Sequence, residues 1–124
     1  MDDTLYDRVG GAPFFERLVD AFYAAVEIDE LLRPMYPPDL ADSKRHMMLF
    51  LVQYWGGPTS YGDERGHPRL RMRHAPFHIT KEARDAWVAA MMSALGEVRS
   101  ELTRDQHEEM TAYFEMVATQ LRNE

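Results

Sequence analysis

An all-α fold is predicted by three observations. Apolar residues recur at three- and four-residue steps through every long segment. No run shows the two-residue alternation of a strand, and clusters of proline and glycine fall in the gaps between periodic stretches. The chain of 124 residues is 45% hydrophobic and 28% charged, so it reads as one domain over residues 1–124 that buries a core without metal or disulfide staples.

The elements follow in order. Ala12-Pro13 opens the first long helix, with proline in the first turn, where its missing N–H costs nothing. Phe15, Leu18, Val19, Phe22 and Val26 give that helix one apolar face to about Ile28. Pro34, Pro37 and Pro38 then predict a short helical turn and a corner carrying Tyr36. Asp42 or Ser43 is expected to cap a second helix with the stripe Met47, Phe50, Leu51 and Tyr54, ended by Gly56-Gly57-Pro58. A polar stretch of about a dozen residues to Pro68 reads as a long loop, and loops of that length in compact domains commonly carry function. A short helix is predicted over Arg69–His74. Thr80 caps the third long helix, whose buried face is Ala83, Trp87, Ala90, Met91, Ala94, Leu95 and Val98. Thr103 and Gln106 form a capping-box pattern ahead of a last helix with Met110, Phe114, Val117 and Leu121 inside.

Composition excludes several functions. There is no cysteine, hence no disulfide, thiolate metal site, thioether cofactor attachment or cysteine nucleophile. The acidic start MDDTLYDRVGG lacks the apolar run of a signal peptide, and no transmembrane segment is apparent. A reducing cytoplasm is the expected compartment. The net charge of -7 argues against nucleic acid as a partner.

Against that background, RGHPRLRMRH (Arg65 to His74) holds four arginines and two histidines with no acid. A lone histidine is commonly a surface or core residue. Here His74 ends a short helix beside Leu70 and Met72, and Ala75-Pro76-Phe77 stops the chain's helical run. Neutral imidazole facing an apolar cavity is how haem iron is held, and a neighbouring guanidinium suits the cofactor's carboxylates. Arg73 is the best placed for that, with Arg69 and Arg71 behind it; a solvated cationic surface is the plainer use of the same residues. Tyr23, Tyr36 and Trp87 fall at core spacings and are individually no more than packing. Converging on one cavity, they would stabilise the negative charge that dioxygen acquires on ferrous iron. Two other uses stay open: zinc held by His67, His74 and His78, against which Pro76 breaks the register, and binding of a polyanion by the arginines.

These stretches resemble a known family. LYDRVGGAPFFERLVDAFY (Leu5 to Tyr23), LLRPMYP (Leu31 to Pro37), FLVQYWGGPTSY (Phe50 to Tyr61), RGHPRLRMRHAPF (Arg65 to Phe77) and ARDAWVAAM (Ala83 to Met91) are similar, in collinear order, to the group II (type O) truncated haemoglobins of actinobacteria. The resemblance implies a shortened globin, a two-over-two helical sandwich, with haem b as cofactor. It implies His74 as the iron ligand, Arg73 beside it with Arg69 near the propionates, and Tyr23, Tyr36 and Trp87 as distal polar residues. Phe50 and Leu51 match haem-packing positions, and Met47, Phe77 and Met91 are the further apolar contacts expected. Gly10-Gly11 and Gly56-Gly57 match glycine motifs that end a short first helix and the distal helix. The chain departs from the family between Tyr36 and Gln53, where it is one residue shorter. Ser43 then falls where globins commonly carry a distal histidine, and Met47 one turn later. A serine hydroxyl there adds a donor, and a methionine sulfur there can approach the iron.

The implied function is reversible binding of dioxygen and other diatomics (CO, NO), with release slowed by the polar pocket for storage, delivery or redox chemistry. The alternative is a haem enzyme of peroxidase-like or nitric-oxide dioxygenase activity, acting on peroxide or NO with an external reductase. A non-haem, arginine-rich anion-binding module is the third class.

Overall fold

A computed structural model describes residues 4–124, the side chain of Arg71 excepted. Among the described residues there is no strand, and seven α-helices follow one another: α1 (Leu5–Arg8), α2 (Ala12–Ile28), α3 (Ala41–Tyr54), α4 (Ser60–Arg65), α5 (Leu70–His74), α6 (Lys81–Glu97) and α7 (Arg104–Leu121). Two 3-10 turns, Arg33–Met35 and Arg99–Glu101, fill the corners after α2 and α6.

The four long helices make the frame. α2 packs against both α3 and α6, and α6 packs against α7, which is the expected two-over-two arrangement. The seam is aromatic and aliphatic: Phe14, Phe15, Leu18, Phe22, Met91, Leu95, Met110 and Phe114 are almost fully buried. Each such side chain contributes roughly 1.5–3 kcal/mol by leaving water, which offsets the conformational entropy of ordering the helices. Caps fix where they begin. The Thr80 hydroxyl accepts from Ala83 N–H at 3.1 Å, and Thr103 and Gln106 form the reciprocal capping box expected.

The cap of α3 differs from expectation. Neither Asp42 nor Ser43 caps it: Leu40 occupies the N-cap position with no side-chain bond, and Asp39 takes the first free amide, accepting from Ala41 N–H at 2.9 Å. Asp39 follows Pro38, so the proline corner delivers its carboxylate one turn earlier than the apolar stripe suggests.

The long loop also differs from expectation, because it contains α4. Six residues are too few to show periodicity, and contacts to α3 hold them. Gln53 Oε1 accepts from Gly62 N–H at 2.8 Å, and Arg45 pairs with Glu64 at 2.6 Å. The N-terminal α1 is tied to the same region: Tyr6 N–H donates to the Trp55 carbonyl at 3.0 Å, and the Tyr6 ring covers Gly57 so closely that a Cβ there would stand 2.7 Å from it. Helix α5 starts one residue later than predicted. Arg69 is its N-cap, in the left-handed region at φ 47, ψ 50.

Candidate functional site

A cavity of about 440 Å³ opens between α3, α5, α6 and α7. Its walls are mostly apolar, built from residues such as Leu32, Met47, Phe50, Leu51, Ile79 and Val117. Every one of Tyr23, Tyr36, Trp87 and His74 lines it, so the residues singled out in four separate segments meet in one space.

His74 ends α5, and its Nδ1 lies 2.7 Å from the Leu70 carbonyl one turn back. A carbonyl only accepts, so Nδ1 carries a hydrogen, and in the neutral imidazole this tautomer leaves the lone pair on Nε2. The hydrogen bond also fixes the ring's direction, as a second partner does for metal-binding histidines generally. The neighbouring Phe77 ring has its centroid 6.3 Å away.

The polar aromatics form a connected group. Tyr23 and Tyr36 meet edge to face at 5.5 Å, and Trp87 lies 5.3 Å from Phe22 and 6.0 Å from Phe114. Burial pushes the Tyr36 hydroxyl up to about 12, while the Trp87 indole N–H beside it pulls the other way. Burial, reinforced by Tyr36, raises Tyr23 as well. Both phenols therefore stay protonated across the physiological range, as O–H donors inside an apolar cavity.

The cations are arranged differently from the sequence reading. Arg73 lines the cavity, but its Nε donates to the Pro68 carbonyl at 2.8 Å and one terminal nitrogen to the Arg65 carbonyl at 3.0 Å. Much of its fork thus holds the α4–α5 loop in place. Arg69 is not among the lining residues, and the side chain of Arg71 lies outside those described. Met91 is fully buried in the α2–α6 core and does not line the cavity. Met47, Phe50, Leu51 and Phe77 do, and so does Ser43.

Among the residues that line the cavity without being expected there, three are basic: Arg84, His46 and Arg65. Arg84 stands one helical turn before Trp87, and its guanidinium is braced on Thr119 Oγ1 at 3.0 and 3.2 Å. Its spacing from Trp87 was the available signal. His46 accepts a hydrogen bond on Nδ1 from Arg65, and burial, with Arg65 close by, lowers its pKa from the ordinary 6.5. No three His, Asp or Glu side chains cluster as a metal site among the described residues. His67 accepts from Arg69 N–H at 3.2 Å and His78 faces Glu124, so neither joins His74.

Residues 4–120 match the family model described as bacterial-like globin. "Group 2 truncated hemoglobin YjbI" of Bacillus subtilis is 45% identical over 93 residues, covering 75% of this chain and 70% of that protein. The crystal structure of haemoglobin from the thermophilic phototrophic bacterium Chloroflexus aurantiacus superposes with a TM-score of 0.94 at 46% identity, covering 99% of this chain and 100% of that one. The truncated oxygen-avid haemoglobin of Bacillus subtilis superposes with a TM-score of 0.91 at 39% identity, covering 98% and 100%.

Proposed function

Since the chain belongs to the bacterial-like globins and, within them, to the group II truncated haemoglobins, we propose that it binds dioxygen, CO and NO at the iron of haem b held by His74. One observation carries this reading: His74 enters an apolar cavity with Nδ1 committed to Leu70 and Nε2 left free to ligate. The cavity suits the group. Phe50, Leu51, Phe77 and Val117 offer apolar walls to a flat macrocycle, and Arg65, Arg73 and Arg84 bring positive charge to its carboxylates.

When bound, the haem supplies the iron that takes the diatomic and the redox couple that any turnover draws on. The chain does the rest. Leu70 holds the imidazole tautomer. Tyr23, Tyr36 and Trp87 would supply neutral donors to a ligand carrying negative charge, in mostly apolar surroundings that strengthen such hydrogen bonds. Several preorganised donors slow the departure of dioxygen, which suits retention, delivery or chemistry better than rapid exchange. The relative from Bacillus subtilis described as oxygen-avid supports that direction.

The exposed arginines beside the cavity, Arg65 and Arg69, favour a second reading. They give an acidic electron-donor protein a landing site, as a haem enzyme turning over peroxide or NO with a reductase requires. Turnover with NO and a reductase, set against the rate of oxygen release, separates the two.

The decisive experiment replaces His74 with alanine. The unaltered protein reconstituted with haem shows an iron–histidine stretching band in the ferrous state. His74→Ala loses that band and regains ligation when imidazole is added. A variant that kept the band would refute ligation by His74.

A further inference from the structure

The helix that carries the ligand is too short to hold itself. α5 has five residues, about one and a half turns, far below the length at which a helix is stable alone. Its N-terminal end has no side-chain cap and starts from the left-handed Arg69. Its C-terminal end runs straight into the non-helical stretch Ala75 to Ile79. That stretch is joined to His74 through Phe77 N–H, which donates to the His74 carbonyl at 3.0 Å. Phe77 and Ile79 then form part of the cavity wall.

The residues just past α7 secure this corner. Asn123 Oδ1 accepts from Ile79 N–H at 2.9 Å, and Asn123 Nδ2 donates to the Phe77 carbonyl at 2.9 Å. The backbone adds two more bonds, from Asn123 N–H and Glu124 N–H to the Ile79 carbonyl at 3.0 and 3.2 Å. One amide side chain therefore grips two residues, two apart in sequence, with its donor and its acceptor together. An amide of that length does both at once; alanine does neither, and aspartate only accepts.

We propose that Asn123 is a positioning residue for His74, and this rests on the reading that His74 ligates haem iron. The bracket fixes Phe77 and Ile79, the Phe77 amide fixes the end of α5, and α5 fixes the direction of the imidazole. Asn123 touches neither the cavity nor the imidazole, yet the strength and uniformity of the iron–histidine bond depend on it.

The test uses haem-reconstituted full chain carrying Asn123→Ala, Asn123→Asp or Thr103→Ala. The last loosens α7 at its other end and controls for lost stability. Two quantities are read: the iron–histidine stretching band in the ferrous state, and the rate of haem transfer to apomyoglobin. Asn123→Ala should shift or broaden the band and speed transfer at least threefold. Asn123→Asp should fall between, since it keeps the acceptor for Ile79 and loses the donor to Phe77, and it serves if the alanine variant does not fold. Thr103→Ala should leave the band unmoved. An unshifted band in both Asn123 variants overturns the proposal, as does an equal shift in Thr103→Ala. Absence of the band from the unaltered protein overturns the ligation reading instead.

Discussion

Removing one hydroxyl, in Tyr36→Phe, isolates the donor from the packing. The edge-to-face contact with Tyr23 at 5.5 Å involves only rings, so phenylalanine keeps it. What is lost is one O–H that burial keeps protonated, its pKa pushed up to about 12. A net hydrogen bond is worth about 0.5–1.5 kcal/mol, so oxygen release should quicken about two- to tenfold if all of it appears in dissociation. The Trp87 indole acts on the Tyr36 oxygen as well as on the cavity. Trp87→Phe should therefore also speed release, and the double variant should show less than the product of the two effects. Stopped-flow displacement of oxygen by CO measures all three, with thermal melts to check that packing survives. The unaltered protein's rate should stay flat from neutral into mildly alkaline pH, because neither phenol titrates there. An unchanged or slower release in Tyr36→Phe, with the melt preserved, refutes the assignment of this hydroxyl as a donor.

Two further predictions concern stability. Gly57→Ala places a Cβ 2.7 Å from both the Tyr6 ring and Val52 Cγ1, and should cost about 1–3 kcal/mol by overpacking. A denaturant midpoint equal to that of the unaltered protein would show that α1 yields freely. The histidines His46 and His78 should titrate on opposite sides of 6.5, read by NMR. Burial and Arg65 lower His46, so the unfolded chain takes that proton first; stability falls as pH drops below 6.5 through the folded value. Glu124 raises His78, so its contribution is complete below 6.5 and is lost as pH rises through the folded value. Finding either on the wrong side of 6.5 overturns the pairing assigned to it.

The sequence carried the frame because the frame obeys simple periods. Phe15, Leu18, Phe22 and Val26 announce α2, and Thr103 with Gln106 announces α7, since both signals lie within a few residues of one another. The cavity's aromatics and His74 were legible for a different reason: each belongs to a stretch specific enough to identify a family. What stayed hidden depends on tertiary contact. α4 exists because Gln53 and Arg45 hold it, and nothing inside SYGDER says so. Arg84 has the composition of a solvated residue, yet its long stem reaches a cavity wall while Thr119 holds its head. Arg73 lines the cavity as its place beside His74 suggests, but its bonds to Pro68 and Arg65 show that much of its fork supports the loop behind that histidine. A charge in sequence does not say which of two oxygens it will meet.

The cavity walls draw on residues from Tyr23 to Leu121, nearly the whole described chain. The stretch from Leu32 to Ile79 supplies one side of the pocket and residues of α2, α6 and α7 close the other, so acquiring the cofactor and completing the fold belong to one coupled equilibrium. A ligand that binds only the folded form adds about 4 kcal/mol at a thousandfold excess over its dissociation constant, comparable with the whole stability of a small domain. The cofactor then works as a staple across the chain as well as a binding group. In a cell short of it, the protein's abundance should fall along with its loaded fraction, since unfolded chains are generally degraded.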